Sequence, residues 1–130
     1  MCSMFFENDY ATYTIDAGVM HIKYKEGVCI DLSAAVKVVQ DRLTFQNDKV
    51  YPVLCEIHGV KTIDKSARDY LAVEGSVLVT SVAFLVKFPV SSWLSEFYLI
   101  ASKPAVPTKT FTDLKEAKKF LSQFKDQAHY

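Results

Sequence analysis

Apolar and polar residues alternate strictly near the start of the chain. In residues 11–16, Ala11, Tyr13 and Ile15 fall on one side and Thr12, Thr14 and Asp16 on the other. Residues 20–24 repeat the alternation, with Met20, Ile22 and Tyr24 set against His21 and Lys23. A period of two predicts half-buried strands. Ala17-Gly18 between the two runs predicts an antiparallel hairpin. Glu26-Gly27 then turns the chain into a short third strand, Val28, Cys29 and Ile30.

At Asp31 the period lengthens. Leu32, Ala35, Val36, Val39 and Leu43 fall at helical spacing, so a helix is predicted to about Phe45 with this stripe inward. Asp31 is suited to cap it, because a carboxylate accepts from the free amides of the first turn. Residues 51–57, YPVLCEI, are mostly apolar without clean alternation, as in a strand covered on both faces. A second helix is expected after Asp64, with Ala67, Tyr70 and Leu71 inward and Gly75 at its end. The apolar run 77–86 reads as another central strand. A third helix is expected after Ser91-Ser92, burying Trp93, Leu94, Phe97, Ile100 and Ala101. A loop with a short edge strand follows. Thr112 is the expected cap of the last helix, whose buried stripe is Leu114, Ala117, Phe120, Leu121 and Phe124. Helices alternating with strands predict an α/β layer with crossover helices. The opening hairpin makes the sheet mixed, and the helix count is about four.

The 130 residues suit a single domain spanning 1–130. Lys plus Arg and Asp plus Glu each number 15, and this balance argues against a broad nucleic-acid surface, which needs a basic excess. The longest apolar run is half the length of a membrane span of about 20 residues, so no membrane partner is expected. The N-terminus lacks a basic region followed by an apolar stretch, so no signal peptide is expected. Cys2, Cys29 and Cys55 form no CxxC pair and suit a reducing cytoplasm. Cys29 and Cys55 sit in apolar runs and are read as buried thiols.

Candidate chemistry is sparse. His21, His58 and His129 are scattered. Glu56 and His58 would share one face of a strand, but two ligands do not make a metal site. His21 is read as a solvated strand residue. No Gly-x-Ser-x-Gly, Cys-His frame or glycine-rich phosphate loop occurs. The expectation is no catalytic residues, no metal and no cofactor. The lysines of the last helix are interspersed with Asp and Glu and read as a solvated face.

Ser66 is the residue left with two readings. With Asp64 as the cap, Ser66 is the second residue of its helix, where amides lack partners and the dipole is positive. A phosphate there would find donors, with Lys65 and Arg68 close in sequence and Lys61 within reach. Alternatively, Ser66 is there because serine favours helix starts.

Residues 53–71, VLCEIHGVKTIDKSARDYL, resemble the central segment of STAS domains, the fold of the SpoIIAA-like anti-sigma-factor antagonists. The family pattern there is close to D-L-S-G-V-x-x-I-D-S-S-G. Gly59 and Val60 fall on its Gly-Val and Ile63 and Asp64 on its Ile-Asp. Ser66 falls on the serine that is the phosphoacceptor in the antagonists. Lys65 and Ala67 replace the flanking serine and glycine, and Glu56 and His58 stand where Asp and Ser would be. The stretches DLSAAVKVVQDRL, YPVLCEI, ARDYLA and KPAVPTKTFTDLKEAKKFL also resemble small bacterial proteins described as SpoIIAA-like or STAS/Sec14-related.

The resemblance implies a STAS/SpoIIAA-like α/β domain and a non-enzymatic regulatory role. Ser66 would be a phospho-switch. His58, Gly59, Lys61, Asp64, Lys65 and Arg68 would form a loop for a protein partner, with a kinase-type regulator acting on it. The alternative is a binding domain for a small apolar or lipid-like ligand, held between the sheet and a helix such as residues 93–101. An open edge strand would also allow a homodimer.

Overall fold

The computed structural model describes residues 4–87 and 105–124. Strands β1 (Met4–Glu7), β2 (Ala11–Asp16) and β3 (Val19–Tyr24) form an antiparallel meander. Strands β5 (Tyr51–Glu56), β7 (Val79–Leu85) and β8 (Thr108–Phe111) continue it in parallel, giving a six-stranded sheet in the order β1-β2-β3-β5-β7-β8. The mixed sheet expected from the sequence is thus present. The hairpin turn is Ala17-Gly18, with φ of 52° and 78°. Two positive φ values match the twist of the flanking strands, which is why this short turn fixes the register.

Two strands stand apart. β4 (Val28–Ile30) pairs in parallel with β6 (Val60–Ile63) in a separate small sheet. The sequence predicts β4 but not β6, a strand of only four residues inside what reads as a loop. Ile30 of β4 is buried while Cys29 faces outward and is exposed, which corrects the expectation of a buried thiol. Cys55 is buried, and burial pushes its thiol pKa up to about 12.

Helices α1 (Leu32–Gln46) and α2 (Lys65–Val73) cover one face of the large sheet, sharing a core with Tyr13, Ile22, Val53 and Phe84. Helix α3 (Leu114–Ser122) covers part of the other, packing Ala117 and Leu121 on Leu54 and Ala83. These are the three α-helices among the described residues. The helix expected at 93–101, and the ligand site proposed beside it, lie outside them. Asp31 caps α1 through Ala34 N at 2.8 Å, as expected. Asp113, not Thr112, caps α3, accepting from Glu116 N at 3.1 Å.

The buried stripe of α1 differs from the predicted one. Ala34, Ala35, Val38, Val39, Arg42 and Gln46 are buried, while Leu32 is exposed. The reason lies in two polar residues that a hydrophobic pattern counts as wet. The Arg42 guanidinium donates to the carbonyls of Val77 (2.9 Å), Gly75 (3.2 Å) and Glu74 (3.3 Å), and to the Gln46 side chain. Gln46 donates in turn to the carbonyls of Leu78 (2.9 Å) and Lys49 (2.8 Å). Together they satisfy the backbone of the connection from α2 to β7 and of the turn after α1, and so rotate α1 to bury its polar pair.

Candidate functional site

The chain leaves the carboxyl end of β5 through Ile57 and His58, passes Gly59, forms β6, and enters α2. Each part of this passage is held by backbone contacts. Gly59 O accepts from Gly27 N at 2.7 Å, and Ile30 O accepts from Asp64 N at 3.0 Å. A methyl group at Gly59 would lie 2.7 Å from the carbonyl oxygens of both Tyr24 and Lys25, so only glycine permits this approach to the end of β3.

The residues expected to form one loop therefore divide between turn, strand and helix. His58 and Gly59 sit in the turn after β5, with Gly59 buried. Lys61 lies on β6 and is exposed. Asp64 occupies the N-cap position of α2 in extended conformation, with no side-chain capping bond. Lys65 and Ser66 open the helix and are exposed, and Lys65 pairs with Asp69 at 2.7 Å across one turn. Arg68 is buried and donates to Ile63 O at 3.0 Å, tying α2 to β6 from behind. The outward surface is thus made by Lys61, Thr62, Asp64, Lys65 and Ser66.

A second cluster is assembled by strand pairing. Register pairs His21 of β3 with Leu54 of β5 and Lys23 with Glu56, which sets His21 diagonally beside Glu56. His21 Nε2 lies 2.6 Å from one Glu56 oxygen and His58 Nε2 lies 3.3 Å from the other. His21 is therefore a half-buried partner of Glu56 rather than a solvated strand residue. No signal in the sequence links residues 21 and 56, because the link exists only through the β3–β5 register. Each imidazole faces a different carboxylate oxygen. Among the described residues no group of three His, Cys, Asp or Glu side chains is placed to hold a metal ion.

Burial raises the Glu56 pKa, but the charge of His21, hydrogen bonds from both histidines and the charge of Lys23 outweigh it. The net effect is a carboxyl held below its usual range. A depressed folded pKa stabilises the protein above the unfolded carboxylate pKa of about 4.3, and that contribution is lost as pH falls through the folded value. Glu56→Gln is expected to lose about 1 kcal/mol at neutral pH, a charge-assisted hydrogen-bond effect. The difference from the parent should shrink as pH falls below the ordinary carboxylate range. Urea denaturation at a series of pH values measures it. A gap that stays constant down to acid pH would contradict this reading.

The architecture, a mixed sheet with α2 entered from the end of a central parallel strand, is SpoIIAA-like. An uncharacterised protein of the DUF3478 family from Shewanella loihica PV-4, described as having a SpoIIAA-like fold, superposes with a TM-score of 0.53. It covers 92% of each chain at 12% sequence identity, so the likeness is one of fold. The chain belongs to a family defined as a domain of unknown function, DUF7793, whose model matches residues 13–125. No curated protein matches it. Among the described residues no helix is long and apolar enough to cross a membrane.

Proposed function

We propose that this protein is a non-enzymatic, cytoplasmic regulatory module that binds a protein partner through the surface formed by β6 and the first turn of α2. Ser66 is its switch, written by a kinase-type regulator. The observation that supports the reading is the placement of Ser66. It is exposed on the first turn of α2, with Lys61 and Lys65 exposed on the flanking elements. Amides of a first helical turn lack partners and carry the positive end of the dipole, so a phosphate there is stabilised. Phosphorylation adds nearly two negative charges to a surface whose own charges are nearly balanced. Arg68 and Gly59 act behind this surface. The first holds α2 against β6, and the second brings the passage close to β3.

The test is co-purification from native cells with tagged parent, Ser66→Ala and Ser66→Glu chains. The Ser66→Ala chain should retain the parent's partner, and the Ser66→Glu chain should bind it at least tenfold more weakly. Identical partner recovery with all three chains would remove Ser66 from the binding surface.

A further inference from the structure

Beneath α1 and α2 the core is incompletely filled. A cavity of about 90 Å3, partly open to solvent, lies between the large sheet and these helices. Its floor includes Ile22, Val53 and Phe84, and Val39 of α1 and Leu71 of α2 form its roof. Val60 and Ile63 of β6 close one side. Protein interiors rarely hold voids larger than a water molecule, and this one has room for about three by their share of liquid volume. Water is a poor occupant, because an ordered water needs two to four polar partners and these walls are nearly all aliphatic or aromatic.

The one charged member of the wall is Arg42. Its terminal nitrogens already make four hydrogen bonds, to Gln46 and to the carbonyls of Glu74, Gly75 and Val77. A carboxylate or phosphate entering the cavity would find no uncommitted terminal N–H to receive it, and would lose its own hydration. The Cys55 thiol, also in the wall, is held protonated by burial and offers no charge. The volume limits the occupant further. An engineered apolar cavity of about 150 Å3 admits benzene and xenon, so this smaller one has no room to enclose a long acyl chain.

We propose that the cavity beneath α1 and α2 is a binding site for a small, neutral, apolar molecule of about benzene's size or less. The site is separate from the outward surface around Ser66, although Val60, Ile63 and Leu71 belong to the elements that carry that surface.

The experiment is a methyl-resonance titration of the full chain with xenon, benzene and benzoate. Saturable shifts of the Val39, Val53 and Leu71 methyls with xenon or benzene, and none with benzoate at equal concentration, are expected. Val39→Ile, which extends a side chain into the space, should weaken those shifts at least tenfold in apparent affinity. Val53→Ile provides the same control from the sheet side should the first variant fail to fold. Absence of saturable shifts with both neutral probes would overturn the proposal. So would benzoate shifting these methyls as strongly as benzene, or undiminished binding in the filled variants.

Discussion

Arg42→Met is expected to destabilise the protein by about 3 kcal/mol, although the replacement is apolar and of similar length. Arg42 is 2% exposed, and its guanidinium serves three backbone carbonyls between Glu74 and Val77 besides the Gln46 side chain. Removing a buried donor leaves its acceptors unsatisfied, at about 1–3 kcal/mol for each buried acceptor. The carbonyls here are partly buried, which places the sum near the lower end. The gain from a better-packed apolar side chain is smaller than this loss. Arg42→Lys should fall between the parent and Arg42→Met, since an ammonium keeps the charge but cannot reproduce the planar fork. Urea denaturation measures both. A lower midpoint with unchanged slope is the expected result. A midpoint equal to the parent's would mean that the connection from α2 to β7 is held without Arg42.

Gly59→Ala is expected to cost about 3 kcal/mol, for a different reason. The added carbon would meet backbone, 2.7 Å from Tyr24 O and Lys25 O and 2.9 Å from Lys25 C. No flexible side chain can give way there, so the end of β3 or the turn after β5 must move. Movement would strain the 2.7 Å bond from Gly27 N to Gly59 O. Overpacking typically costs about 1–3 kcal/mol, and a contact with several backbone atoms of residues 24 and 25 belongs at the top of that range. Thermal unfolding checks the magnitude. Because the turn leads directly into β6 and α2, hydrogen exchange should accelerate first in residues 60–63 of the variant. Uniform exchange and a parental midpoint would contradict the close approach.

These two positions also show what a sequence can and cannot convey. The hairpin of β2 and β3 was legible because alternation and the Ala17-Gly18 turn are local. The mixed α/β order was legible because helical and strand periods follow one another. The face of α1 was not, since Arg42 and Gln46 are polar by type and buried only because distant carbonyls need donors. Strand β6 was hidden by its length, and its partner β4 lies some thirty residues earlier. Cys29 points outward because Ile30 takes the inward position on β4. In the candidate site, Ser66 and its flanking lysines were visible as a helix start. The approach of Gly59 to β3, the inward turn of Arg68 and the meeting of His21 with Glu56 depend on tertiary register and left no mark in the local pattern.

The Gly59 turn and the Arg68 bond position β6 and α2 against the sheet, and their outer surface presents Ser66 to solvent. The proposed phosphate at that place would change surface charge without disturbing the core, because Ser66 is exposed while Ala67, directly after it, is fully buried.

Phosphopeptide mass spectrometry on the protein isolated from its native cells, in growth and in stress, decides whether Ser66 is a switch. Phosphate on Ser66 is expected, with an occupancy that changes between the two conditions. Full coverage of the peptide spanning residues 62–68 with no phosphate in either condition would contradict it, leaving Ser66 as a helix-start residue alone.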